Sequence, residues 1–496
     1  MRRLHHLLAL LLAPALTGCF AADGADDASG DRASGSRLRV ALAFPPAEHL
    51  SPYGADATIL SRLGVTESLT ALDANGAAAP ALAASWRRES DRTWLFTLRD
   101  ATFQDGTAVT PAAVAASLTH ATEAKPAPAA LTGVTLKATA DGSTGVQVTT
   151  DRPDPVLPLR MSSPGLAVLS AKGYDRQGDA NPVGTATGPF ALTKVTGSTT
   201  ATLDRFDDYW GGRAQSAGID VKFIADGTAR TAALRTGEVD LAEAIPVAQA
   251  ASLDTATRKE TATTRTTSLL LNTASGPFAN PKLRAAAREA VDTAALAEGV
   301  YEGHADAGAG IYGPAVTWAE GKRKQPTGRA GAGSAKGTRI SLATYDNRPE
   351  LPEAAQVLKQ QLEKAGFTVD LQVREYSRLE SDALDGKFDA FVLARNTLVD
   401  TGDPVAVLAS DYTCDGGYNI AQLCDQDVDR AVAEAEGIAD TGRREDAAMA
   451  AEAAILGTDA VVPLVHQRVI TGVAPSVRGA LLDPYERTLV ATGTRR

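Results

Sequence analysis

The stretch LPEAAQVLKQQLEKAGFTVDL, Leu351 to Leu371, decides the fold class. Leu351, Ala354, Ala355, Leu358, Leu362 and Ala365 recur at helical spacing and predict one apolar helix face. Gly366 stands at the C′ position, where a helix needs a residue that tolerates positive φ. Phe367 to Leu371 follows as a strand, and Gly386 to Val392 supplies the next one. Helices alternating with strands predict an α/β lobe in the C-terminal half.

Working outward, Leu38, Val40 and Leu42 alternate as in a half-buried strand that Pro45-Pro46 ends. Trp86 to Glu89, a turn at Ser90-Asp91 and Thr93 to Leu98 predict a β-hairpin. Thr110-Pro111 is an N-cap with proline at the first helical position, opening a helix through Leu118, and Asn280-Pro281 repeats the construction for Lys282 to Val291. Gly321 to Gly337 predicts a loop.

The 496 residues are 44% hydrophobic and 22% charged, the balance of a globular protein with material for a large core. The formal charge of −11 becomes −13 once a leader holding two positive charges, Arg2 and Arg3, is removed. No basic run exceeds Lys322-Arg323-Lys324, so a nucleic-acid partner is not expected.

The leader is the pair Arg2-Arg3 followed by an apolar run from Leu7 to Leu16, too short to span a bilayer, which needs about 20 residues. It ends in Leu16-Thr17-Gly18-Cys19, which resembles the lipobox of bacterial lipoproteins. There the Cys19 thiol takes a lipid and the chain is cut before it, giving a signal peptide 1–18 and an anchor with a polar tether over 19–36. The expectation is an extracytoplasmic protein held at the outer face of the cytoplasmic membrane.

Gly308-Ala-Gly-Ile-Tyr-Gly313 matches G-x-G-x-x-G but follows a helical stretch and runs into Pro314, so it predicts a loop rather than a dinucleotide site. The remaining histidines, His49, His120, His304 and His466, are far apart, and neither a metal centre nor a cofactor is expected. No nucleophile and base pair can be named, so the chain is not read as an enzyme. Cys414 and Cys424, ten positions apart in an exported chain, predict a structural disulfide.

Separated blocks together resemble one family, the extracytoplasmic solute-binding proteins of ABC importers in the peptide and nickel cluster, family 5. They are Pro80 to Trp86, Trp94 to Asp100 with Phe103-Gln-Asp-Gly106, Thr187-Gly-Pro-Phe190 with Asp208-Tyr-Trp-Gly-Gly212, and Ala229 to Leu241. Further blocks are Leu271-Asn-Thr273, Gly276-Pro-Phe278, Leu283 to Asp292, Gly386 to Asp389, Asp400-Thr-Gly-Asp-Pro404 and Gly417-Tyr-Asn419. Most of these residues also have a plain structural account, with Trp86, Trp94 and Trp210 as core aromatics.

The resemblance implies a two-lobed periplasmic-binding-protein-like α/β fold (class II, cluster C type) with an extra N-terminal subdomain and a hinge. Mapped here, lobe 1 is 37–53 with 183–261 and 475–496, the inserted subdomain is 54–182, and lobe 2 is 262–474. The resemblance further implies a monomer that captures a small solute, foremost a short peptide, and passes it to permease subunits with a separate ATPase. The alternatives are a nickel chelate, an opine or an oligosaccharide, or a sensory lipoprotein without transport.

In peptide-binding members an Asp receives the ligand's α-ammonium group, and the matching position is Asp400. Arg395 is nominated on chemistry as a carboxylate partner, and Tyr418 and Asn419 complete the ligand-binding set. Dipeptide-type members carry a Trp three residues before this Asp; Thr397 stands here, so the stacking wall is expected to be absent. Asp403-Pro404 predicts a turn whose carboxylate caps nearby amides.

Overall fold

The computed structural model describes residues 36–47, 49–125 and 127–496. The leader, Cys19 and the tether as far as residue 35 lie outside them.

The predicted helix forms over Glu350–Lys364, burying Leu351, Ala354, Ala355, Leu358 and Leu362 on one face, while Ala365 is exposed at the C-cap. Gly366 follows with φ +108°. The strand after it runs Thr368–Arg374 and pairs in parallel with Arg339–Tyr345, which pairs in parallel with Ala390–Asn396. At the other end of the same sheet, Arg37–Leu42 lies parallel to Gly218–Phe223 and to Leu241–Ala242. Parallel pairs at both ends, with helical crossovers, make this an α/β protein.

Two long antiparallel strands, Arg258–Leu271 and Val461–Val473, join the two ends into one mixed sheet of eleven strands. Arg258 to Ala262 pair with Arg468 to Gly472, and Thr266 to Leu270 pair with Val461 to His466. Between them the register shifts, so Thr263, Thr264 and Arg265 bulge out of the ladder. A bulge bends its strand and frees side chains from the pleat, here at the middle of the crossing.

Buried apolar side chains fall into three clusters. One lies on the sheet between Leu269 and Val465 with the helices beyond it, the second around Leu38, Val40 and Ile219, and the third within residues 53–168. Ala233, Leu234, Val239 and Ile245 join the first cluster, although they precede the crossing strands in sequence. The third cluster underlies a separate antiparallel sheet that includes the hairpin, with Trp86 opposite Phe96, and carries the helix Pro111–Glu123. That helix runs five residues beyond its expected end, and Thr110 Oγ1 caps it by accepting from Ala113 N at 3.2 Å.

Two expectations need correction. Trp86, Trp94 and Trp210 are half-buried at the edge of the third cluster, not in its core. Each indole N–H that binds carries a reason: Trp94 Nε1 donates to Asp154 O at 3.0 Å, and Trp210 Nε1 donates to the Glu67 carboxylate at 3.1 Å while Arg99 sits 3.6 Å above its ring. The second concerns Gly308 to Gly313, which follows a short strand, Ala305–Ala307, rather than a helix. No helix opens at Gly313, and a Cβ on Gly308 would lie 2.4 Å from Pro463 O, so this glycine is there to let the loop pack against the crossing strand.

Candidate functional site

Asn396 ends the strand Ala390–Asn396 beside the bulge, and the loop that follows is tied down from several sides. Thr397 N and Oγ1 both donate to Thr264 O, at 3.0 and 2.9 Å. Asn396 Nδ2 donates to Tyr485 O and Glu486 Oε1, each at 3.2 Å, and Arg487 donates to Val399 O at 2.8 Å and to Leu398 O at 3.3 Å. The backbone of this loop is therefore fixed by the crossing strand and by the C-terminal segment. It presents Asp400, 34% exposed, at its tip.

Arg395 reaches Asp400 Oδ2 from Nη2 at 3.1 Å and Asp411 Oδ2 from Nε at 3.0 Å. Its own side chain is 23% exposed and Asp411's 5%. Burial works against the guanidinium's charge, yet attraction to Asp411 and Asp400 outweighs it and holds its pKa well above the ordinary value. One cation stands between two carboxylates, and of the two Asp400 is the more exposed.

The Tyr418 ring lies 4.9 Å from the Arg395 guanidinium. Its hydroxyl is hydrogen-bonded to the Tyr376 hydroxyl, Tyr376 donates to Glu380 Oε1 at 2.9 Å, and Tyr345 meets the Tyr376 ring edge-on at 4.9 Å. Three tyrosines therefore form an aromatic cluster against Arg395, where position 397 offers none. Thr397 is buried and spent on Thr264.

Cys414 and Cys424 are bonded, S–S 2.06 Å. Asn419 is placed differently from expectation: it is buried inside the disulfide loop, where Nδ2 donates to Thr413 O at 2.8 Å and Leu423 O at 2.6 Å and Oδ1 accepts from Leu423 N at 2.9 Å. Its amide closes the loop that holds Tyr418 up, and no donor is left for a ligand. Asp403 caps the helix Pro404–Tyr412 by accepting from Val405 N at 3.4 Å, as its place before proline predicts, and is also gripped by Arg444.

Three further groups escaped the sequence reading. Arg265, on the bulge, pairs with Glu486 by two hydrogen bonds of 3.0 and 3.1 Å. Burial alone raises the Glu486 pKa, but Arg265 and Arg348 reverse this and hold it at about 2. Arg348 follows the strand Arg339–Tyr345 as Asp400 follows its neighbour, and its guanidinium lies 5.4 Å from the Phe44 ring on the far side of the crossing strands. A polar turn with a proline, Asn347-Arg348-Pro349, at the carboxyl end of a parallel strand was the signal available, since ligands of open α/β sheets collect there.

Among the described residues no group of three or more His, Cys, Asp or Glu is placed to hold a metal ion, and no helix is long and apolar enough to cross a membrane.

The model of the bacterial extracellular solute-binding proteins, family 5, matches residues 77–419, more than half of the chain. The chain belongs to that family. As a family 5 protein it is an extracellular solute-binding protein of two lobes, and the family's work is binding.

Family 5 relatives include the nickel-binding protein NikA of Staphylococcus aureus, 25% identical over 434 residues, covering 83% of this chain and 84% of that one. A probable di/tripeptide-binding protein 5 of Pseudomonas aeruginosa is 26% identical over 371 residues, covering 70% and 69%. The structure of the S. aureus NikA in complex with Ni(L-His)2 matches with a TM-score of 0.80 at 22% identity, over 93% of this chain and 99% of that one. A Pseudoalteromonas dipeptide-binding protein in complex with Met-Leu gives 0.80 at 18%, over 93% and 100%.

Proposed function

We propose that this family 5 protein is the receptor of an ABC importer for a short peptide, captured between lobe 1 (37–53, 183–261, 475–496) and lobe 2 (262–474), with 54–182 as the inserted subdomain. Lipidation at Cys19 holds it to the membrane as a monomer, and docking on permease subunits follows closure around the ligand.

The observation that carries the reading is Asp400. Arg395 takes its Oδ2, and the carboxylate stays one-third exposed on a loop that is pinned just before it, at Thr397 and Val399. A primary ammonium brings a charge and three donors, and an already oriented carboxylate accepts it without reorganising. The cluster of Arg395, Asp400 and Asp411 carries one net negative charge, which suits a cation. Tyr418 and Tyr376 supply apolar surface beside it, and the peptide backbone adds to exposed strand edges.

A nickel chelate is the second reading, favoured by the likeness to the S. aureus nickel-binding protein. In this chain the metal's own ligands come with the chelator, because His466 is buried and spent on Thr266 and Ala309.

Native mass spectrometry of the soluble fragment from Phe20 onward, purified without denaturation, tests the reading. A ladder of short peptides released on denaturation supports it. A single non-peptide mass moves the ligand to the chelate class.

A further inference from the structure

The hairpin of Thr70–Leu72 and Ala78–Pro80 stands apart from the other two sheets. Its root is tied to the body of the third cluster. Thr70 N donates to Met161 O at 3.3 Å, Thr70 Oγ1 to Pro158 O at 2.6 Å and Ser68 Oγ to Ser163 O at 2.6 Å. Its turn is preformed, because Asp73 Oδ1 accepts from Asn75 N at 2.8 Å and from Ala77 N at 2.9 Å.

The tip lies on the other body. Leu72 is half-buried against the first cluster, not the third. A Cβ on Gly402 would lie 2.7 Å from Leu72 Cδ2, and one on Gly76 would lie 2.7 Å from Tyr485 Oη. Leu72 therefore lies flat on the loop two residues beyond Asp400, and the turn rests on the segment whose Tyr485 O accepts from Asn396. Gly402 has φ +73°, so backbone and space both demand glycine there.

Two further contacts join the same bodies. Thr132 Cγ2 faces Gly417 of the disulfide loop, 3.4 Å from where a Cβ would stand. Arg152 Nη2 lies 3.8 Å from Glu436 Oε1, with the side chains 46% and 37% exposed. An ion pair that open contributes little, which leaves the apolar contact of Leu72 as the strongest of the three.

We infer that the hairpin is a strap fastening the 53–168 body onto the Asp400 loop, with Leu72 as its clasp, so that the protein itself helps to hold the cleft shut. The three contacts run from protein to protein, and their free energy is present whatever solute arrives. The shut form is then populated before capture, and the ligand supplies only the rest of the shift. Loss of the clasp lowers that population and weakens every ligand by the same factor. The inference goes beyond the peptide reading and holds for any solute.

The test needs no ligand. Spin labels on Lys137→Cys and Glu434→Cys, exposed positions on the two bodies, report their separation by double electron–electron resonance. The chain from Phe20 onward is used, dialysed to remove bound solute; its remaining cysteines, Cys414 and Cys424, are bonded to each other. The wild type is expected to show a shut and an open distance, and Leu72→Asp to lower the ratio of shut to open by at least about tenfold. Leu72→Met keeps the apolar surface and should retain the ratio. Leu72→Ala should fall between, and it replaces Leu72→Asp should that variant fail to fold.

A wild type with no shut population overturns the inference, as does a ratio that neither Leu72→Asp nor Leu72→Ala changes. An Arg152→Ser variant that opens as far as Leu72→Ala overturns the assignment of the clasp to Leu72.

Discussion

Arg444 holds Asp403 with two parallel hydrogen bonds, Nε to Oδ1 at 2.7 Å and Nη2 to Oδ2 at 2.6 Å. Both side chains are about 95% buried, and Nη1 of the same guanidinium donates to Ala435 O and Glu436 O at 2.8 Å each. One ion pair thus fastens the helix Pro404–Tyr412, which follows the Asp400 loop, to the helices Gln426–Glu436 and Thr441–Gly457. Removing one partner strands the other in a buried site. Arg444→Met is expected to cost about 3–5 kcal/mol, whereas Asp403→Asn, which keeps a capping oxygen, should cost less. Urea denaturation of the two variants checks the order.

Asp400→Asn is expected to weaken peptides with a free amino terminus about ten- to hundredfold and to leave N-acetylated ones nearly unchanged. The loss is placed at that level because the carboxylate is one-third exposed and its partner Arg395 keeps Asp411. Paired titrations of a peptide and its acetylated form measure it. Equal losses for both would show that Asp400 supports the closed state and not the ammonium.

His466 makes the protein sensitive to acid. Its Nε2 accepts from Ala309 N at 3.2 Å, so the proton sits on Nδ1, facing Thr266 Oγ1 at 2.9 Å, and Thr266 in turn donates to Ile311 O at 2.8 Å. Burial foremost, with Arg323 nearby, lowers its pKa to about 4. A histidine depressed below its ordinary 6.5 contributes stability above that pH and loses it as pH falls towards 4, by up to about 3 kcal/mol. Stability curves of the wild type and His466→Gln between pH 7 and 4 should converge with falling pH.

Glu67 works in the opposite sense. It accepts from Tyr209 Oη at 2.8 Å and from the Trp210 indole, but burial outweighs these donors and raises its pKa to about 7. An acid raised in the folded state contributes most below its unfolded value of about 4.5 and loses that contribution as pH rises through 7. Glu67→Gln should therefore gain stability relative to the wild type on going from pH 5 to pH 8. A difference independent of pH would mean that the carboxylate is ionised throughout.

What could be read from the chain was local. The helix Glu350–Lys364, its C′ glycine, the hairpin opposite Trp86 and Phe96, and the two proline-opened helices follow from spacing and from residues a few positions apart. The loop holding Asp400 was also legible, because Asp-Pro announces its helix cap. What was not legible joins distant segments. Arg265 meets Glu486 across 221 positions and Arg444 meets Asp403 across 41. Asn419 looked like a ligand contact because the sequence shows an amide between two cysteines and not the carbonyls it turns towards. Arg348 looked like any surface arginine until the sheet brought Phe44 to face it.

The bulge at Thr263 to Arg265 has a consequence for how ligands leave. Thr264 O accepts both bonds from Thr397, and Arg265 holds Glu486. The pivot of the crossing strands and the loop carrying Asp400 are therefore one mechanical part. Under the proposed function, opening the lobes would drag the seat offered to the ammonium with it, so residence time and opening rate would share a single barrier. A substitution at Thr397 or Thr264 should change both clocks together and leave the rate of first encounter alone.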